Sequence, residues 1–237
     1  MFKNLSIAAL MLALAACAVP RPQPAAPRCI DDSASRPDTA SAGKVYRIDE
    51  GQSELRILVY RAGALARLGH NHVLVNRALC GEGRLLDPPG ASAFWLKVPA
   101  AGFAVDDAQA RGEEGPDFAA QVSDDAKSGT LRNMLGTAVL DADEFPVITV
   151  RGSVVTTAGA PTLTANLVVT VAGHESKVDV PITLEADSSR LTVSGTVELR
   201  QTTLGLTPYS LMRGALQVQD AMTIKLRIVA VAAPLGT

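Results

Sequence analysis

From residue 45 onward, apolar and polar residues alternate with a period of two, and that pattern confines the chain to half-buried β-strands. Leu55, Ile57 and Val59 alternate with Glu54, Arg56 and Leu58. Leu163, Ala165, Leu167, Val169 and Val171 do the same among Thr162, Thr164, Asn166, Val168 and Thr170. The runs beginning at Val178, Leu191 and Met222 repeat the pattern, the last carrying Ile224, Leu226 and Ile228. One face of each strand is apolar and the other wet, as in antiparallel sheets. Further strands are expected near 46–48, 70–75, 78–86, 93–98 and 147–154.

The spacers fit this reading. Ala158-Gly159-Ala160-Pro161, Ala172-Gly173-His174-Glu175 and Ala186-Asp187-Ser188-Ser189 each stand between successive runs and are only a few residues long, which implies hairpins between neighbours. The period fails only between Asp117 and Leu140. There, Asp124 and Asp125 signal the start of a short helix through Met134, with Gly136 placed to end it. Many strands in meander order form a barrel or a sandwich, and closure removes unpaired edges. The expectation is therefore an all-β fold: an antiparallel β-barrel of about eight strands with a short helical insertion. An interior of that size holds side chains or one small ligand.

The N-terminus reads as an address. Lys3 precedes an apolar run from Leu5 to Ala16, too short to span a bilayer comfortably, and then comes Cys17. Leu14-Ala15-Ala16-Cys17 resembles the bacterial lipoprotein signal, in which small residues precede a Cys that becomes lipidated. That resemblance implies a signal peptide over 1–16, a lipid anchor on Cys17 and a membrane as partner. A plain secretory signal cleaved nearby is the alternative. Ala18, where Asp would direct retention, implies a place in the cell envelope at the outer membrane, facing the periplasm. Residues 17–44 hold Pro20, Pro22, Pro24, Pro27 and Pro37 among Ala, Ser and Asp, and read as a tether with a reach of about 30 Å. The folded body then occupies 45–237. With Cys17 taken by lipid, Cys29 and Cys80 are an even pair that suggests a disulfide in an exported protein; two separate thiols are the alternative.

Composition and motifs narrow the function. Lys and Arg number 22 against 24 Asp and Glu, so the broad basic field that nucleic-acid binding needs is missing. Aromatic residues are 4%, too few for base-stacking platforms. No nucleophile elbow, zinc-protease helix motif, phosphate-binding loop or dinucleotide fingerprint occurs, so a binding protein is expected rather than an enzyme. Glu113 and Glu114 read as a solvated pair of charges in a polar loop.

Several stretches resemble the YceI-like family. Tyr46-Arg47-Ile48-Asp49 with Ser53 is similar to its opening. Leu131-Arg132-Asn133-Met134, Asp141 and Phe145-Pro146-Val147-Ile148-Thr149-Val150 are similar to its middle, and Gly205-Leu206-Thr207-Pro208 with Asp220 to its close. Their order covers about 45–231. The resemblance implies a lipocalin-like barrel that holds a polyisoprenoid or quinone-like chain in an apolar tunnel. The residues are compatible: Leu55, Ile57, Val59, Leu163, Leu167, Val169, Ile224 and Leu226 are the inner-face candidates. An isoprenoid tail there gains about 0.8 kcal/mol per buried CH₂. Alternation is the same in a hollow and in a filled barrel, so both remain open. The segment Ala66-Arg67-Leu68-Gly69-His70-Asn71-His72-Val73 departs from the commonest family pattern.

That segment carries two of the three histidines. His70 and His72, two apart on a strand, place both rings on one face. They are candidates for contact with a ligand head group. With His174 from the Gly173-His174-Glu175 hairpin they make an alternative metal site, suited to zinc or copper, and the alternative function is then a metal-binding or redox-accessory protein. Arg67, Arg132 and Arg213 are further candidates for an anionic head group. A structural or surface role is the bland reading for all of them.

Overall fold

The computed structural model describes residues 43–90, 92–156 and 163–233. The expected signal peptide, Cys17, Cys29 and the turn at 158–161 lie outside the described residues. Lys44, assigned to the tether from the sequence, is already the first residue of a strand. Cys80 is disulfide-bonded. Among the described residues no helix is long and apolar enough to cross a membrane.

The strands are β1 (Lys44–Ile48), β2 (Glu54–Ala62), β3 (His72–Asn76), β4 (Cys80–Leu85), β5 (Ala93–Pro99) and β6 (Phe103–Val105). They continue with β7 (Val147–Thr156), β8 (Leu163–Val171), β9 (His174–Ala186), β10 (Arg190–Arg200), the two-residue β11 (Ser210–Leu211) and β12 (Leu216–Ala232). The helices are α1 (Ala108–Gly112) and α2 (Asp124–Leu135). All pairings are antiparallel.

These strands form a closed eight-stranded barrel once the breaks are read through. β1 and β2 make one long stave, β3 and β4 the second, and β5 and β6 the third. β1 pairs β4 while β2 pairs β3, and β4 pairs β5 while β3 pairs β6. β7, β8, β9, β10 and β12 complete the meander, and β12 closes it against both β1 and β2. Closure leaves the long staves without a free edge.

The three breaks sit at one level and are stitched together by side chains. Between β1 and β2, the hydroxyl of Ser53 donates to the Val229 carbonyl at 3.1 Å and accepts from its N–H at 3.0 Å. It restores the ladder where the strand leaves it. Between the second and third staves, buried Asn76 donates to the Pro99 carbonyl at 2.8 Å and accepts from the Ala78 N–H at 2.9 Å. At the β8–β9 hairpin, Ala172 and Gly173 both have positive φ, 46° and 75°. That two-residue turn matches the twist of the flanking strands.

α2 forms where the sequence places it. Ser123 caps it by accepting from the Ala126 N–H, Asp124 and Asp125 favour its positive end, and Gly136 ends it. The helical insertion begins earlier than expected, with α1 ahead of Asp117. α1 and the turn at Pro116–Phe118 lie on the outside of β2 and β3. They cover Leu58, Tyr60, Val73 and Val75 with Ala110 and Phe118. This explains why Leu58, read as a wet-face residue, is buried, and why β3 is apolar on both faces. Of the expected solvated pair, Glu113 is exposed but Glu114 is not. The Glu114 side chain is only 3% exposed and binds Arg56 at 2.7 Å and Lys225, while Glu113 binds Arg56 at 2.9 Å. Together they clamp the outer layer to β2 and β12.

Candidate functional site

The lower end of the barrel is filled and the upper end is hollow. Near the hairpin ends of β7 and β8, Val154, Ala165, Ile182, Phe94 and Leu163 pack together. Above them a cavity of about 360 Å³ opens toward α2 and the 201–217 segment. Leu55, Ile57, Val59, Leu167, Val169, Ile224 and Leu226 all line it, as do His70 and His72. Leu163 does not. It pairs with Thr156 and Ile182 in the filled end, beyond the hollow part of the barrel.

Met134, Val139 and Leu140 form part of the roof, and Leu204, Leu206 and Leu211 another part. The rim carries exposed apolar side chains. Met212 is 72% and Leu68 64% exposed, each beside a cavity-lining residue, Leu211 and Gly69. Exposed apolar groups at a portal suit contact with another apolar surface.

The largely apolar wall has a polar corner at His72 that is built in detail. Asp106 follows β6 with φ 53°, a left-handed conformation that Asp tolerates better than most residues. Its side chain is fully buried. Oδ1 accepts from the Val73 N–H at 2.9 Å and from Arg111 Nη1 at 2.6 Å. Oδ2 lies 2.7 Å from His72 Nδ1. Burial alone would raise the Asp106 pKa. The hydrogen bonds from His72 and Val73, with the charges of His72 and Arg111, outweigh it and hold the carboxyl below its ordinary value. Asp106 is therefore a carboxylate, and His72 Nδ1 is the donor in the pair.

Arg111 is held as firmly. It donates to the Asn71 carbonyl at 2.7 Å and twice to the Ala120 carbonyl, at 3.1 and 3.0 Å, with Phe118 against its guanidinium. His72 Nε2 lies 3.3 Å from Thr130 Oγ1 of α2. Thr130 and Asn133 also face the cavity. The His70 ring meets His72 edge-on, with centroids 6.0 Å apart. Burial, then the nearby charges of His72 and Arg111, push the His70 pKa down, which favours its neutral form.

The three histidines do not converge. His174 lies against Gly205, so close that a Cβ there would sit 2.7 Å from its own Cβ. Among the described residues no group of three His, Cys, Asp or Glu side chains is placed to hold a metal ion. His72 directs Nδ1 to Asp106 rather than to a shared centre. The arginines fall differently too. Arg67, Arg132 and Arg213 are exposed, and the arginine on the cavity wall is Arg61, which donates to the Gly69 carbonyl at 2.9 Å. Asp106, Arg111, Thr130 and Arg61 escaped the sequence reading. Only the adjacent Asp106-Asp107 carried a signal, and it pointed to helix capping, which Asp107 performs.

A family model for the YceI-like domain matches residues 82–230. The crystal structure of Burkholderia cenocepacia BcnA is similar in fold, with a TM-score of 0.56 and 14% identity, covering 77% of this chain and 98% of that one. So is the structure of a polyisoprenoid binding domain from Saccharophagus degradans implicated in plant cell wall breakdown. Its TM-score is 0.50 at 11% identity, covering 81% of this chain and 100% of that one. Among curated protein sequences, none matches. The segment holding His70 and His72 precedes the residues that the family model matches.

Proposed function

This chain belongs to the YceI-like family, and from that premise we propose that its barrel binds and carries an apolar chain, a polyisoprenoid or a quinone-like tail. The observation that supports this most is the hollow upper barrel, about 360 Å³ with an aliphatic wall. That volume falls in the range of small-molecule sites. A filled barrel would leave no such space, as at the lower end, where the side chains pack together. The Saccharophagus domain of similar fold is described as polyisoprenoid-binding, which favours the same ligand class. The reading includes no catalytic step: the protein holds its ligand and releases it unchanged.

The proposal extends to where the protein works. A lipid on Cys17 and the Pro-rich tether would hold the barrel near the outer membrane, facing the periplasm. Two or more acyl chains give stable anchoring, and the apolar rim at Leu68 and Met212 would then receive the ligand.

The test is native mass spectrometry of the exported form with Cys17→Ser, which removes the protein's own acyl chains. An added mass extractable into organic solvent and matching an isoprenoid series is expected. Protein that stays bare when mixed with geranylgeraniol and with ubiquinone would overturn the reading.

A further inference from the structure

The polar corner is elaborate for a cavity that takes only a hydrocarbon. An apolar tail needs no polar partner, yet side chains from three other segments converge around one imidazole. Asp106 comes from the end of β6, Arg111 from α1, His72 from β3 and Thr130 from α2. The fixed quantity is the tautomer. Asp106 is a carboxylate with no proton to give, so the proton of neutral His72 sits on Nδ1. Nε2 is left as the acceptor nitrogen, on a residue of the cavity wall. The donor beside it is Thr130 Oγ1, at 3.3 Å, the long end for such a bond.

We propose that the cavity selects its ligand by a hydrogen bond from a terminal hydroxyl to His72 Nε2, so that the ligand class is a long-chain alcohol or phenol rather than its phosphate ester. This rests on the apolar-chain reading above and names the end group that the same site takes.

The charges around the corner favour a neutral head group. Asp106 and Arg111 cancel one another. Neutral His70 adds no charge. Arg61 remains, but its guanidinium is tied to the Gly69 carbonyl in an exposed position. A phosphate seated beside Thr130 would be desolvated next to the buried Asp106 carboxylate, a costly arrangement. A hydroxyl has none of these penalties, and it satisfies an acceptor that is otherwise poorly used.

The experiment compares three probes that share a tail: geranylgeraniol, its methyl ether and its monophosphate. Each is titrated into the full chain carrying Cys17→Ser, at about pH 8. The alcohol is expected to bind about tenfold tighter than the ether, which lacks the donor, and tighter than the phosphate. His72→Phe keeps a ring in place and removes the acceptor, so alcohol and ether should then bind within about twofold of one another. Asp106→Asn is the sharper variant. Its amide can still accept from Val73 and Arg111 with oxygen while its NH₂ donates to His72 Nδ1. The imidazole proton then moves to Nε2, which becomes a donor to either oxygen. The preference for alcohol should vanish because the ether gains. A merely structural role for Asp106 would weaken both probes together.

Equal binding of alcohol and ether by the unaltered pocket overturns the inference and leaves the apolar-chain reading standing. So does an alcohol preference that survives His72→Phe, or tighter binding of the phosphate. Failure of all three probes to bind overturns the apolar-chain reading itself.

Discussion

The aliphatic wall and the polar corner share one cavity but are built by different means. Much of the wall is made of uninterrupted staves. β8, β9, β10 and the middle of β12 send every second residue inward, and Leu167, Val169, Val180 and Ile224 stand there because the pleat puts them there. The corner is made where regular structure stops. His72 opens β3, Asp106 turns out of β6 in a left-handed conformation, and Thr130 hangs from a helix that belongs to no stave. Repetition gives capacity, since a smooth wall accepts any apolar chain of the right girth. Irregularity gives direction, since a hydrogen bond at one end decides which way such a chain lies.

The largest effect should come from a charge in the wall. Leu167→Asp places an unpaired carboxylate among aliphatic side chains, and burying it ionised costs several kcal/mol. Loading with geranylgeraniol, read by native mass spectrometry, should fall about a hundredfold or more. Leu163→Ala at the filled end is the control. It should lower stability by about 1–2 kcal/mol in urea titration, as partly buried truncations do, and leave loading as it was. Loading that survives Leu167→Asp and fails in Leu163→Ala would place the ligand at the wrong end of the barrel.

In the corner the comparable change is Asp106→Ala. It leaves Arg111 buried with no carboxylate, and it removes the acceptor for Val73 and His72. Breaking a buried pair in this way costs about 3–5 kcal/mol, more than Leu163→Ala by the same urea titration. A loss below about 1 kcal/mol would mean that water replaces the carboxylate, and the corner would then be looser than its hydrogen bonds indicate.

The same contrast explains what could be read from the sequence. The wall was legible because alternation encodes which face a residue takes. All but Leu163 of the predicted apolar lining residues stand on the cavity, and α2 lies where its cap signals put it. Leu163 failed because alternation gives the face but not the height along the barrel. Leu58 and Glu114 failed because a second layer covers the outside of β2 and β3, and an outward residue reads as wet until that cover is known. The corner was half legible. His70 and His72 stood out by type and spacing, but Asp106 is 34 residues from His72 and Thr130 is 58. Partners so distant are joined by the path of the loops, for which a single sequence carries no periodic signal. The proposed third ligand, His174, failed for the same reason in reverse: its hairpin was read correctly, and the side chain then packed on Gly205.

Acidification should loosen the corner before the wall, in two stages. The His70 pKa is lowered from 6.5, so the unfolded chain binds its proton first, and stability falls as the pH drops below that value. The Asp106 pKa is lowered from 3.8, so its contribution is complete above that value and is lost as the pH falls through the folded-state value. Both signs agree: the melting temperature should decrease as the pH falls below about 6.5 and decrease again below about pH 4. His70→Asn should flatten the first stage and leave the second. A first stage that persists in His70→Asn would assign it to another histidine.

The smallest effect belongs to the rim, which touches the ligand only in passing. Met212 is 72% exposed, so Met212→Glu should change stability by less than about 0.5 kcal/mol. The bound ligand should hold as tightly as before, because the wall and the corner are untouched. What should change is the rate. A ligand leaving a bilayer has to cross an apolar lip at Leu68, Leu211 and Met212, and a carboxylate there both wets the lip and repels anionic lipid. Uptake of geranylgeraniol from phosphatidylglycerol-containing vesicles, followed by stopped-flow fluorescence, should slow by about threefold, with partial recovery in vesicles without anionic lipid. Unchanged rates in Met212→Glu would mean that the ligand enters elsewhere, and a matched loss of affinity would mean that the rim is continuous with the wall.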